Sequence, residues 1–142
     1  MKYWLVKSEP ETWSWQDQLD AKTTEWDGVR NAQAANNLKA MSKGDRALFY
    51  HSGKQRQVVG VVEVTREAYP DPGDEAGRFV MVDVKAVTTL PEPVSLKQIK
   101  DDEKLAHLAL VRQPRLSVMP VDAASFKRLC RMGELREDNG NA

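Results

Sequence analysis

The chain has 142 residues, 41% of them hydrophobic and 30% charged, with 21 Lys and Arg set against 21 Asp and Glu. That length is about one domain at the usual prior of roughly 100 to 200 residues, and the composition can fill a core, which excludes global disorder. No apolar run approaches the roughly 18 residues of a bilayer span, and a formal net charge of +0 exerts no long-range pull toward nucleic acid or membrane, so any polyanion site has to be local.

Residues 3–7 are rich in β-formers and stop at Ser8-Glu9-Pro10, where proline ends pairing, which predicts a short first strand. The same opening lacks the sections of a signal peptide, and the expectation is a cytoplasmic protein. In residues 12–19, Ser14 with Asp17 three positions on predicts a capped short helix that Trp13 and Trp15 can pin down. After a polar link, residues 29–41 predict a second helix closed by Gly44. Residues 46–51 and 58–65 predict a hairpin with a basic loop at 52–57. Pro70-Asp71-Pro72-Gly73-Asp74 reads as loop, and residues 79–87 alternate as a half-exposed strand that Pro91 and Pro93 are expected to end.

Helical periodicity returns at 95–99 and 102–110, and residues 116–121 form a short strand that Pro120 places at an edge or strand end. Asp122 caps a last helix with Ala123, Phe126, Leu129 and Cys130 on one face, stopped by Gly133. The expectation is a single domain over residues 1–133 and a flexible acidic tail over 134–142. Strands without regular βαβ spacing favour a small, mixed, partly closed barrel over a doubly wound sheet.

Charge comes in blocks. Residues 28–66 hold seven bases against Asp45 and Glu63, and residues 104–133 hold six against Asp122. Residues 1–27 and 67–103 are acidic. The two basic blocks can build one basic face, and an ordinary solvated surface produces the same pattern.

The residues offer no catalytic motif: no Gly-rich phosphate loop, nucleophile elbow or dinucleotide fingerprint. His51 and Ser52 are adjacent on a strand and point to opposite faces. One cysteine excludes an internal disulfide, and with only His51 and His107 beside it no Cys and His zinc site can be assembled. Cys130, on an apolar face, reads as a packed thiol. No cofactor and no metal is expected. Trp26 stands in a polar stretch before a helix, where periodicity does not call for it. It either stacks on a flat base, for roughly 1 to 3 kcal/mol, or plugs the barrel end.

Several words in order, Trp4-Leu5-Val6-Lys7-Ser8-Glu9-Pro10, the run from Trp26-Asp27-Gly28-Val29-Arg30-Asn31 to Leu38, Leu48-Phe49-Tyr50-His51-Ser52, Val59-Gly60-Val61-Val62-Glu63-Val64, Tyr69-Pro70-Asp71 and Arg115-Leu116-Ser117-Val118-Met119-Pro120-Val121, closely resemble the EVE domain family over residues 2 to 132. The resemblance implies an α+β, PUA-like pseudo-barrel of five or six mostly antiparallel strands with surrounding short helices, related to the PUA, ASCH and YTH groups. It also implies a non-catalytic domain that binds nucleic acid, DNA ahead of RNA, and takes up a flipped modified base, modified cytosine above others. A separately encoded effector protein is the further partner it implies, with no membrane involved.

By the same resemblance Trp26 stacks on the base, Ser8 and Asn31 meet its polar edge, and Tyr50 and His51 form the pocket wall. Ser117 closes the pocket with Arg115, while Lys7, Arg30 and Arg115 neutralise phosphates, and Tyr69 or Phe79 supplies a second aromatic. Two other readings stand beside it: an amidohydrolase of modified nucleosides, as among ASCH-type relatives, using Glu9, Asp27 or His51, and a protein-interaction module docking a basic partner on the acidic block 67–103.

Overall fold

The computed structural model describes residues 1–135. Among them, six strands form one sheet: β1 (Tyr3–Ser8), β2 (Thr23–Trp26), β3 (Arg46–His51), β4 (Gln57–Pro70), β5 (Val80–Ser95) and β6 (Val118–Val121), in the order β2-β5-β4-β3-β1-β6. The β1–β3 pair is parallel and the other four pairings are antiparallel. Around the sheet lie α1 (Trp15–Ala21), α2 (Ala32–Ala40), α3 (Leu96–Lys100), α4 (Ala109–Arg112) and α5 (Ala123–Met132), giving the expected α+β architecture.

Register shifts between Val58 and Gly60, Val61 and Val62, Val64 and Arg66, and Arg66 and Tyr69 interrupt the long β4–β5 ladder. Each shift adds twist and bend, which lets a long two-stranded ribbon wrap around one core. Phe49 is fully buried at the centre, with Trp15 and Trp26 edge-on to it at 5.1 and 5.4 Å. Gly60 admits the Trp15 indole directly onto the β4 backbone, since an added Cβ would lie 2.4 Å from Trp15 Cζ2.

Four expectations are corrected. The polar link before the second helix is strand β2, a short edge strand whose exposed Thr23 and Glu25 hid the pattern. Pro91 and Pro93 do not end β5, because the ladder jumps from Gly60–Thr89 to Val58–Val94 and the prolines fall where no N–H is needed. The second helix starts at Ala32, because the Asn31 side chain takes the N-cap by accepting from Ala34 N; it ends at Ala40, and Gly44, at φ +96°, belongs to the turn into β3. Residues 102–110 divide into a 3-10 turn at Glu103–Leu105 and the start of α4.

The capped helices at Ser14 and Asp122 form as expected, and Pro120 lies in β6 at the sheet edge. Glu134 and Leu135 of the expected tail still bond back to Arg131 and Cys130, and the rest of it lies outside the described residues.

Candidate nucleic-acid interface

At the C-terminal end of β1 the chain encloses a cleft of about 640 Å³, within the range of sites that hold small organic groups. Its first wall is the turn after β1. Ser8 Oγ donates to Trp13 O at 2.7 Å, and Thr12 and Trp13 donate their N–H groups to Glu9 O at 2.9 Å. Trp13, half-buried and just before the Ser14 N-cap, donates its indole Nε1–H to Gln18 Oε1 at 2.9 Å. Gln18 is fully buried and donates onward to Lys22 O. A polar contact here replaces the apolar pair that usually staples these two positions, and it fixes the indole by its edge.

The second wall is the end of β2 and the loop after it. Trp26 is 7% exposed, packs on Phe49 and lines the cleft, so it belongs both to the core and to the wall. Gly28 takes φ +78°, and its N–H donates to Asp71 Oδ2 at 2.9 Å. Arg30 Nη1 donates to the same oxygen at 3.0 Å, and Gly73 N to Oδ1 at 2.8 Å. Asp71 is 4% exposed, and the Gly28 N–H, with Arg30 and Gly73, holds its carboxyl below the usual range against the upward push of burial. Asp71 therefore clamps the Trp26–Arg30 loop to the loop after β4.

Of the residues expected at the site, Lys7, Ser8, Trp26, Arg30, Asn31 and Ser117 come together on the cleft. Tyr50, His51 and Arg115 do not line it. Tyr50 pairs with Lys7 across the β1–β3 ladder and lies beneath it, the ammonium 5.6 Å from the ring centroid. Lys7 Nζ donates to Pro114 O at 2.9 Å, and burial pushes its pKa down. His51 Nε2 accepts from Trp15 N at 2.9 Å, which leaves Nδ1 to donate to Gln55 Oε1 at 2.8 Å. His51 thus anchors the start of α1. Arg115 is exposed beside Pro114 on the Lys7 side of the cleft.

Tyr69 and Phe79 also lie elsewhere. Tyr69 donates to Asp83 under the Arg66 guanidinium, 3.6 Å above the ring, and burial with that hydrogen bond pushes its hydroxyl up to about 12. Phe79 lies under Arg30 and Arg78. The second aromatic on the cleft is Trp13, and the signal for it in the sequence was a tryptophan outside the helix with Gln18 at the position where its staple partner belongs. Cys130 is half-buried, and burial raises its thiol to about 11.

The EVE domain model matches residues 2–132. The chain belongs to the EVE domain family. Thymocyte nuclear protein 1 of Rattus norvegicus is 36% identical over 87% of this chain and 70% of its own length. A crystal structure of an Agrobacterium tumefaciens protein superposes with a TM-score of 0.92 at 46% identity, covering 95% of this chain and 94% of that one. The human THYN1 protein, solved in complex with DNA containing 5-methylcytosine, superposes at 0.87 with 32% identity, covering 96% and 99%. The YTH domain of Zygosaccharomyces rouxii MRB1, at 13% identity and TM-score 0.55, shares the fold over 93% of this chain and 86% of that one. The EVE domain seen here is thus the PUA-like architecture its sequence words imply.

Proposed function

We propose that this EVE domain binds DNA and receives one modified cytosine, turned out of the base stack, in the cleft between Trp13 and Trp26, without altering it chemically. The observation that carries the reading is that two tryptophans from separate elements, one fixed by Gln18 and one by Phe49, line the same cleft. The human relative solved with 5-methylcytosine DNA supports the ligand class. Ser8, Asn31 and Ser117 supply polar groups along the base edge; Asn31 keeps its amide nitrogen for this, its oxygen being used by Ala34 N. Arg30 is neutralised by Asp71, so Lys7 and Arg115 on one rim are assigned to the DNA backbone.

Turning out a base costs a few kcal/mol, whereas enclosing one methyl group returns about 0.8 kcal/mol. Preference for the modified base over plain cytosine is therefore about fourfold, and affinity falls steeply with salt because the backbone contacts are ionic. Fluorescence anisotropy with oligonucleotides carrying one cytosine or one 5-methylcytosine tests this at several salt concentrations. The reading expects saturable, salt-dependent binding that Trp13→Ala and Trp26→Ala weaken at least about tenfold. Binding indifferent to both substitutions contradicts it. Hydrolysis of N4-acylated cytidine would favour the amidohydrolase reading, which this geometry leaves with Glu9 and Asp27 on the cleft and with His51 engaged by Trp15 and Gln55.

A further inference from the structure

We infer that Asp27 makes the cleft select bases that carry an exocyclic amino group over their keto counterparts; the inference rests on the base-binding reading above. The charged groups lining the cleft are Lys7, Arg30, Glu9, Glu25 and Asp27. Both cations already have partners: Lys7 Nζ donates to Pro114 O at 2.9 Å, and Arg30 Nη1 to Asp71 at 3.0 Å. Among the described residues, no hydrogen bond or ion pair engages the side chains of the three carboxylates. These carboxylates are therefore acceptors with no donor of their own, standing beside the Asn31 amide and the remaining N–H groups of Lys7 and Arg30.

An ionised carboxylate only accepts hydrogen bonds. It pairs with the N4 amino group of a cytosine or the N6 amino group of an adenine, and it repels the O4 carbonyl of thymine or uracil. Asp27 is the best placed of the three, for it has the shortest side chain and both backbone neighbours are held. Trp26 pairs with Val82 in the β2–β5 ladder, and the Gly28 N–H is bonded to buried Asp71 at 2.9 Å. Asp27 is thus carried on fixed backbone next to Trp26, on the lining of the cleft.

Glu25 lies on the opposite face of β2 from Trp26, beside Asp83, Tyr69 and Arg66. Glu25 faces Asp83 across the β2–β5 ladder, a like-charge pair that costs stability in the free protein. Asp83 is partly relieved by the Tyr69 hydroxyl, whereas the Glu25 side chain has no donor among the described residues.

5-Methylcytosine and thymine carry the same 5-methyl group and the same flat ring, so aromatic walls alone cannot separate them. They differ at position 4, amino against keto, and at N3. The test is a competition on the full chain between single-stranded oligonucleotides of one sequence with a single central 5-methylcytosine or thymine; single strands remove differences in base pairing. Wild type is expected to prefer 5-methylcytosine by about tenfold or more.

Asp27→Asn keeps the shape and adds a donor, and it is expected to lower 5-methylcytosine binding about tenfold and bring the ratio near one, whereas Glu25→Gln is expected to change the ratio less. Asp27 is exposed, so Asp27→Asn should melt as wild type does, which separates lost recognition from lost folding. Equal wild-type binding of the two bases, or a ratio unmoved by Asp27→Asn while Trp13→Ala still weakens binding, overturns the inference and leaves base binding standing. Binding of neither oligonucleotide overturns both.

Discussion

Strand β1 runs between two openings of nearly equal size and unequal chemistry. At its C-terminal end lies the tryptophan cleft, and at its N-terminal end a groove of about 650 Å³ lined by Tyr3, Trp4, Leu108, Pro120, Val121 and their neighbours. In the groove the aromatics are committed: Tyr3 stacks on Phe126 at 4.2 Å, and Trp4 Nε1 donates to buried Asp45 at 3.0 Å. Its polar groups satisfy one another, with His107 Nε2 2.7 Å from Asp122 and 3.3 Å from Ser125 Oγ. At the cleft, Trp13 and Trp26 are anchored yet line open space, and carboxylates stand without described partners. Volume is common to both ends; held aromatics with unspent polar groups distinguish one.

The largest effect is expected from the clamp. Asp71→Ala removes the buried acceptor shared by the Gly28 and Gly73 N–H groups and Arg30, which keeps Val29 O, and should cost about 2 kcal/mol in urea unfolding and abolish oligonucleotide binding. The matching change at the other end, Asp122→Ala, removes a helix cap and the His107 contact for about 1 kcal/mol and should leave binding intact. Loss of binding in both variants would erase the difference between the ends.

Next in size is the stacking wall. Trp13→Ala should weaken oligonucleotide binding by about 1 to 3 kcal/mol, read by anisotropy, while Tyr3→Ala should lower stability without changing affinity. A Tyr3 variant that binds as poorly as the Trp13 variant would point to the groove instead.

Acid should weaken both ends. The His107 contact, with Ser125, holds Asp122 down to about 2, and hydrogen bonds also depress Asp71 and Asp45. A carboxylate whose folded pKa lies below its unfolded value of about 4 contributes fully above that pH, and its contribution is lost as pH falls toward the folded value. The urea midpoint should therefore drop between pH of about 4 and about 2, and an unchanged midpoint across that window would contradict the assignment. The smallest effect expected is a gain: Glu25→Gln removes the repulsion with Asp83 and should raise stability by a few tenths of a kcal/mol, measurable as a higher Tm.

The fold was legible because helix caps at Ser14 and Asp122 and the apolar runs of β3 and β4 are local signals. Strand β2 was not, since Thr-Thr-Glu-Trp acquires strand character only by pairing with β5. At the site, the Lys7-Ser8 and Trp26–Asn31 segments led to five residues that do meet at the cleft, and the 115–121 segment to a sixth, Ser117. Tyr50 and His51 misled because the parallel β1–β3 register sets them beneath Lys7 and against Trp15, a long-range fact no spacing reveals. Asp71, 43 residues from Gly28, escaped for the same reason.

The central claim, that the cleft end and not the groove end receives a base, has a direct reporter in the four tryptophan indole N–H signals of the protein. Trp13 and Trp26 line the cleft, Trp4 lines the groove, and Trp15 is buried with its Nε1 on Thr89. Titrating 15N-labelled protein with a short oligonucleotide carrying one 5-methylcytosine should shift the Trp13 and Trp26 signals together and leave those of Trp4 and Trp15 in place. Movement of Trp4 with Trp13 and Trp26 unmoved would contradict the account.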